Sequence, residues 1–410
     1  MTRRWKSLTA AYLLSVLVMY ASVCWNTRGL IAAGLPDFAI YYCAGAVVRQ
    51  GLGYQLYDPA IRFEVQGQFA SAVPLFRGPL PWTHPPYEAL FYLPFSGFSY
   101  LNGYLLWNAF SLLLVGGTLW LLSPCLEQVK NRGPALWLLA FAFFPIFFNL
   151  LEGQDGIVLL FLYALVYRSL RNHRDALAGA FLAIGLFKFH LVLPFVFLLL
   201  MQRRWKIIYG FMPVSIAAVI VSLAISGTKS LWAYPRYLFY WESLLASGTD
   251  RVPANMPNLR GLMYLIFAQW RFSPWLVLTL SLILLLLVGW LVRQRPEKHF
   301  DLGFSLMLLA TVLVSYHVTC YDLSILLIPV LLSLNRLLSA NQGRRGWMLL
   351  ASLSVGLMFC APLQLLLLLH YKGFALMGVV LLLWAYALVD DRLLRGQNGY
   401  GWLFSKAPHQ

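Results

Sequence analysis

Apolar runs close to the length of about 20 residues that a helix needs to cross a bilayer recur along this chain, and they limit its fold more than any other feature. The runs are Leu-rich and continuous, not alternating, so they read as helices and exclude a transmembrane barrel. Of the 410 residues, 60% are hydrophobic and 11% charged, more apolar surface than a soluble fold of this length can hide. The expected fold class is an all-α polytopic integral membrane protein, a single transmembrane domain over residues 1–410.

The polar breaks between the runs sort by charge. Basic loops hold Lys130/Arg132, Arg168/Arg171/Arg174, Arg203/Arg204/Lys206, Arg293/Arg295/Lys298, Arg336/Arg344/Arg345 and Arg392/Arg395. Between them lie connectors poor in Lys and Arg: Glu152-Gly153-Gln154-Asp155, Lys188-Phe189-His190, residues 227–258, Tyr316 to Asp322, and His370-Tyr371-Lys372. The positive-inside rule places the basic loops and both termini in the cytoplasm and the other set outside. It also accounts for the formal charge of +16, from 31 Lys+Arg against 15 Asp+Glu. No basic helix or aromatic-basic module stands apart from the spans, so nucleic acid is not an expected partner. The expected location is the inner (plasma) membrane, crossed many times. Chemistry belongs on the extracytoplasmic, periplasmic face, where most acids and His84, His190, His317 and His370 collect. Cys24, Cys43, Cys125, Cys320 and Cys360 form no CxxC pair, which suggests neither a zinc site nor a disulfide framework.

Read in order, a first span covers about Leu8 to Trp25. A large first extracytoplasmic loop, 26–84, follows and carries two short helices. One is amphipathic, over 38–50, with Asp37 near its N-cap; the other covers Arg62 to Phe69. Residues 85–123 count as one net crossing. Residues 175–201 cross twice, with helices of only about 18 Å each, a length tolerated where helices line a protein cavity. A second large outer loop is expected at 227–258. The total is about 12 spans, without the internal repeat that marks many transporters.

Several residues on the outer side have the chemistry of a site. Asp37 is either a helix cap or a general base within reach of a substrate hydroxyl. Lys188 and His190 interrupt an apolar stretch, where a cation either snorkels to the interface or clamps a phosphate. His317, with Tyr321 and Asp322 just after it, is either a packing residue or a second phosphate donor. Arg260, in Asn258-Leu259-Arg260-Gly261, is a candidate anion contact. His84-Pro85-Pro86-Tyr87-Glu88 and Glu152-Gly153-Gln154-Asp155-Gly156 read as a helix start and a tight turn, or as parts of a site. Trp232, Tyr234, Tyr237, Tyr240 and Trp241 fit an interfacial belt better than a sugar platform. No GxxxxGK[ST], HExxH or GxSxG motif is present, and no soluble nucleotide-sugar domain, so an activated sugar has to arrive on a lipid carrier.

Taken together, the ordered motifs resemble a known family. They are Asp37-Phe38-Ala39-Ile40-Tyr41-Tyr42 with Gly51 to Asp58; Pro85-Pro86-Tyr87; Gly153-Gln154; Ala178-Gly179 through Lys188 and His190; Asn258 to Leu262; and Ser315-Tyr316-His317 with Tyr321-Asp322-Leu323. In this order they resemble the GT-C glycosyltransferases, and within them glycosyltransferase family 87, over roughly residues 10–340. The resemblance implies a GT-C-like bundle. It implies an inverting, metal-free hexosyltransferase that moves a sugar, usually mannose, from a polyprenyl-phosphate donor to a lipid or glycan acceptor, with no cofactor. It makes Asp37 the base and Lys188, His190, Arg260 and His317 the donor-phosphate ligands. Tyr41, Tyr42, His84, Gln154, Asp155, Tyr321 and Asp322 remain for the sugar and acceptor. The chain departs from the expected pattern at His84, where Tyr is common, at Asp155, where Asn is common, and at Phe189 and Tyr316, where Pro is common. The competing expectation is a transporter or flippase of a lipid-linked or anionic solute, which the clustering of acids and histidines on one side disfavours. A glycan polymerase or ligase would be expected to carry its large outer loop late in the chain.

Overall fold

The computed structural model describes residues 3–69, 81–130, 133–247, 252–267, 274–294, 299–339 and 345–396. Among them every regular element is helical. The longer helices are α1 (Arg3–Ala32), α2 (Phe38–Arg49), α3 (Pro59–Gly67), α4 (Tyr100–Leu122), α5 (Gly133–Ala142), α6 (Phe144–Glu152), α7 (Gly156–Arg171), α8 (Asp175–Ile184), α9 (Phe189–Met201), α10 (Ile207–Ser247), α11 (Leu259–Ile266), α12 (Pro274–Arg293), α13 (Phe300–Val314), α14 (Leu327–Ser339), α15 (Arg345–Met358) and α16 (Met377–Gly396). Among the described residues six stretches are long and apolar enough to cross a membrane, or eight if each of two bent helix pairs is one span. The chain is therefore a multi-spanning membrane protein. The expected figure of about 12 includes arms too short to enter either count.

Several expected boundaries move. α1 continues to Ala32, so the first span outruns Trp25 and the polar loop begins later. α2 starts after Asp37 as expected, but it is buried on nearly every side rather than amphipathic. α3 begins at Pro59, not Arg62, because the Asp58 side chain accepts the Ala60 N–H at 2.9 Å and caps it. Residues 227–247 are not a loop: α10 runs through them, kinked at Gly227, whose φ of 71° leaves the helical region. Residues 248–251, the middle of that expected loop, and Lys298, Arg295, Arg344 and Asp250 fall outside the described residues. Two aromatics on this half of α10, Tyr234 and Tyr237, serve the first loop. Tyr234 donates to the Thr83 carbonyl at 3.3 Å, and Arg62 donates to the Tyr237 hydroxyl at 2.6 Å. Trp232 and Tyr240 stay exposed, at 81% and 57%, and the Trp241 side chain lies outside the described residues.

Residues 175–201 pass as one span by length and composition, but the chain reverses inside them. Asp175 Oδ1 and Arg204 Nη1 are 2.8 Å apart. A straight helix over this stretch would separate its ends by about 40 Å. α8 and α9 are therefore two arms, with the turn at Gly185–Lys188 and Lys188 itself non-helical at φ −113°, ψ 59°. α10 then packs back on α8 so closely that a Cβ on Gly179 or Gly210 would overlap backbone of the other helix.

This reversal gives the bundle two chemically distinct ends. One is basic and is tied by Arg204–Asp175, by Arg171–Asp301 at 2.8 Å, and by the Gln128 N–H to the Asn335 side chain at 2.9 Å. α7, α8 and α13 run between it and the other end, which holds the α6–α7 turn, the Lys188 apex and residues 315–322. Helix breaks within the bundle leave carbonyls that side chains satisfy. Pro145 starts α6, α5 meets it at 63°, and Tyr20 donates to the Ala142 carbonyl at 3.1 Å. Pro194 lies inside α9 and has no N–H for the His190 carbonyl, which accepts from the Ser315 hydroxyl instead.

Candidate active site

Gly153 closes α6 in the left-handed conformation, φ 62°, with the Gln154 N–H returning to the Asn149 carbonyl at 3.0 Å. A Cβ there would lie 2.6 Å from Cβ of Phe38, so glycine also admits the start of α2. The Asn149 carboxamide bridges the same turn when its nitrogen faces the Gln154 carbonyl, 2.9 Å, and its oxygen faces the Gly156 N–H, 3.0 Å. Asp37 and the α6–α7 turn meet as a result. The Asp37 N–H donates to Oε2 of Glu152 at 3.0 Å, and Nε2 of Gln154 donates to Oδ2 of Asp37 at 2.8 Å. The Asp37 carboxylate makes no capping bond to α2, which removes the cap as its explanation. Its residue is partly exposed, while Gln154 is buried.

Gln154 is held in turn by Tyr41, whose hydroxyl donates to Oε1 at 2.5 Å. Burial, with Asp155 next in effect, raises the Tyr41 hydroxyl well above its ordinary range, so it acts as a neutral donor. On its other side lies Nε2 of His84, at 3.5 Å. Nδ1 of His84 is 2.8 Å from Oε2 of Glu88 and 3.9 Å from Oδ2 of Asp155. Burial works against the His84 imidazolium, but the Glu88 and Asp155 carboxylates outweigh it and raise its pKa. Burial, opposed by His84 and reinforced by Asp155, pushes the Glu88 carboxyl up to about 8. The ligand atoms of His84, Glu88 and Asp155 all lie within 4.8 Å of one another, a spacing that suits a metal ion.

Lys188 sits between two carboxylates, 2.7 Å from Asp155 Oδ1 and 2.6 Å from Asp322 Oδ1. All three side chains are nearly inaccessible. Asp322 is oriented by the Thr319 N–H and hydroxyl, at 2.8 and 2.9 Å, and the Lys188 ammonium lies 5.1 Å from the Tyr321 ring centroid. Next to this group, the His190 and His317 rings are 6.4 Å apart. Arg260 stacks on Tyr316 at 3.9 Å and donates to its carbonyl at 3.2 Å. Asn258 positions Arg260: its Oδ1 caps α11 through the Gly261 N–H at 2.8 Å, and its Nδ2 donates to the Ser315 carbonyl at 2.7 Å.

One end of the bundle thus gathers a partly exposed carboxylate, a buried ion network and a patch of imidazole and guanidinium groups. The family-level comparison bears on this arrangement: the model of glycosyltransferase family 87 matches residues 82–320, more than half of the chain. The chain belongs to glycosyltransferase family 87. No curated protein and no solved structure matches it.

As a family 87 member it is a membrane glycosyltransferase, which uses a sugar donor and an acceptor. The match contains His84, Gln154, Asp155, Lys188, His190, Arg260 and His317. Asp37, Tyr41, Tyr42, Tyr321 and Asp322 lie beyond it, although Tyr321 and Asp322 follow it directly. Of the residues singled out from sequence, Tyr42 is the one turned elsewhere. It donates to the Phe98 carbonyl at 2.7 Å and packs on Phe69 and Tyr100 in the core of the first loop. From sequence, Glu88 and Glu152 entered only within longer motifs, without a role of their own, and Ser315 and Thr319 were not among the candidate site residues. Glu88 had a signal, because it follows His84 by four positions. Ser315 had one only through Pro194, whose missing N–H demands a donor elsewhere.

Proposed function

We propose that this family 87 enzyme transfers a hexose, mannose by the resemblance, from a polyprenyl-phosphate donor to a hydroxyl of a lipid or glycan acceptor. The reaction takes place on the extracytoplasmic face of the inner membrane and inverts the anomeric centre. Asp37 accepts the acceptor proton as the hydroxyl oxygen bonds to the anomeric carbon. The bond from that carbon to the phosphate oxygen breaks, and polyprenyl phosphate leaves with the electron pair. Arg260, His190 and His317 receive the negative charge on the leaving group. Lys188 is balanced by Asp155 and Asp322, so it meets the phosphate only by giving up one of them; until then it holds the α6–α7 turn against the apex.

The observation that carries this reading is the position of Asp37. Its carboxylate takes a hydrogen bond from Gln154 at 2.8 Å. The next residue, Asp155, pairs with Lys188, two positions before His190. Base and cations therefore share one end of the bundle. Purified protein given polyprenyl-phosphate mannose and membrane-lipid acceptors should transfer sugar. Asp37→Asn should abolish transfer while elution profile and melting temperature stay unchanged; full activity in Asp37→Asn would remove Asp37 from the mechanism.

A further inference from the structure

With Glu88, Asp155 and Asp322 all ionised, the network carries more negative charge than Lys188 balances. Three buried carboxylates, Glu88, Asp155 and Asp322, surround one ammonium, and Lys188 pairs with only two of them, at 2.7 and 2.6 Å. The ligand atoms of Glu88 and Asp155 lie within 4.8 Å of each other, and His84 Nδ1 is 2.8 Å from one and 3.9 Å from the other. Glu88 is 0% exposed, and its Oε1 has no hydrogen-bond partner among the described residues. Two buried carboxylates this close require a positive centre beside them, either a proton or a cation.

We propose that His84 Nδ1, Glu88 and Asp155 Oδ2 bind a divalent first-row cation of the Zn²⁺ or Mn²⁺ class, a structural ion at the wall of the site. With a neutral imidazole, the three carboxylates, Lys188 and a divalent ion sum to zero charge. Around zinc, ligand atoms bound at about 2.0–2.1 Å in tetrahedral geometry lie roughly 3.4 Å apart. The observed separations from His84 Nδ1, 2.8 and 3.9 Å, bracket that value. One imidazole with two carboxylates suits this class better than the all-oxygen shells of Ca²⁺ or Mg²⁺, or sulfur-seeking copper. A ligating histidine commonly engages its other ring nitrogen in a second contact, and His84 Nε2 faces the Tyr41 hydroxyl at 3.5 Å. The ion would fasten residues 84–88 to the α6–α7 turn. It takes no part in bond breaking, and its presence does not depend on Asp37 being the base.

The test is metal analysis of full-length protein purified in detergent with a histidine-free tag and no chelator. Close to one equivalent of zinc or manganese is expected, falling to background in His84→Ala and in Glu88→Gln. After EDTA and dialysis, adding zinc or manganese should raise the melting temperature of the wild-type protein by several degrees and leave that of the variants unmoved. Wild-type protein without metal, whose melting temperature ignores both ions, would overturn the proposal in favour of a shared proton. So would metal retained equally by both variants. Wild-type metal content decides the matter even if a variant does not fold.

Discussion

Single side chains at this site divide the work between holding charge and placing it. Gln154 cannot ionise, yet it joins Tyr41 to Asp37 through two hydrogen bonds, 2.5 and 2.8 Å long. It fixes the direction of the Asp37 carboxylate without sharing its proton. A base displaced by about 1 Å loses on the order of 10²-fold in rate. Gln154→Leu should therefore lower kcat by about that factor, with KM changed less than about twofold and the melting temperature retained. Steady-state kinetics alongside thermal unfolding checks this; a rise in KM alone would make Gln154 a substrate contact instead. Lys188 illustrates the other role. Removing one partner of a buried ion pair costs about 3–5 kcal/mol, because the other charge is left uncompensated. A cation held by Asp155 and Asp322 is thus structural before it is anything else. Its chemistry was legible in the sequence as a charge in an apolar stretch, but its two carboxylate partners, 33 and 134 positions away, were not.

Among elements, the site depends on helices that stop or bend at set places. Pro145 separates α6 from α5, Gly153 ends α6, and the Gly185–Lys188 turn ends α8. Each break brings a polar group inward, and each freed backbone group finds a partner, as the Ala142 carbonyl does in Tyr20 and the His190 carbonyl in Ser315. Gly153 is the most constrained of these positions, since its φ is positive and its α-carbon faces Phe38. Gly153→Ala should destabilise the protein by about 1–3 kcal/mol. It should also depress transfer, because Phe38 is displaced together with Asp37. Scanning fluorimetry and a transfer assay on one preparation test both effects. Wild-type stability and rate would show that the turn relaxes without moving α2. Proline and glycine marked these breaks in the sequence. Which end of the molecule each break faced was settled by long-range contacts such as Tyr20 to Ala142.

At the scale of the molecule, two ends of opposite chemistry follow from the reversal at Lys188. Arg174 and Trp205 flank the Asp175–Arg204 pair at the basic end. Tyr54, 58% exposed, belongs to the first loop at the other. Cysteines placed at Arg174 and Trp205, with the exposed Cys24 replaced, should both react with an impermeant reagent from the cytoplasmic side of sealed vesicles. A cysteine at Tyr54 should react from the outer side. Labelling of Arg174 and Trp205 from opposite sides would mean that 175–201 crosses only once.

The sequence by itself determined the class of this protein. Long apolar runs leave a membrane bundle as the only way to hide so much surface, and the spacing of basic loops separates two sides without reference to any contact. The ordered motifs were also sufficient to point to family 87. Hydropathy could not decide how many runs cross, because composition does not register a reversal, and an ion pair between Asp175 and Arg204 does. Nor could it decide what each charged residue faces. Asp37, Glu88, Gln154, Asp155, Lys188 and Asp322 come from five separate stretches, and only the packing of glycines and broken helices brings them together at one end of the bundle. Whether a charge in an apolar run is a ligand, a strut or part of a cation site depends on partners distant in the chain, and those are set by the tertiary fold.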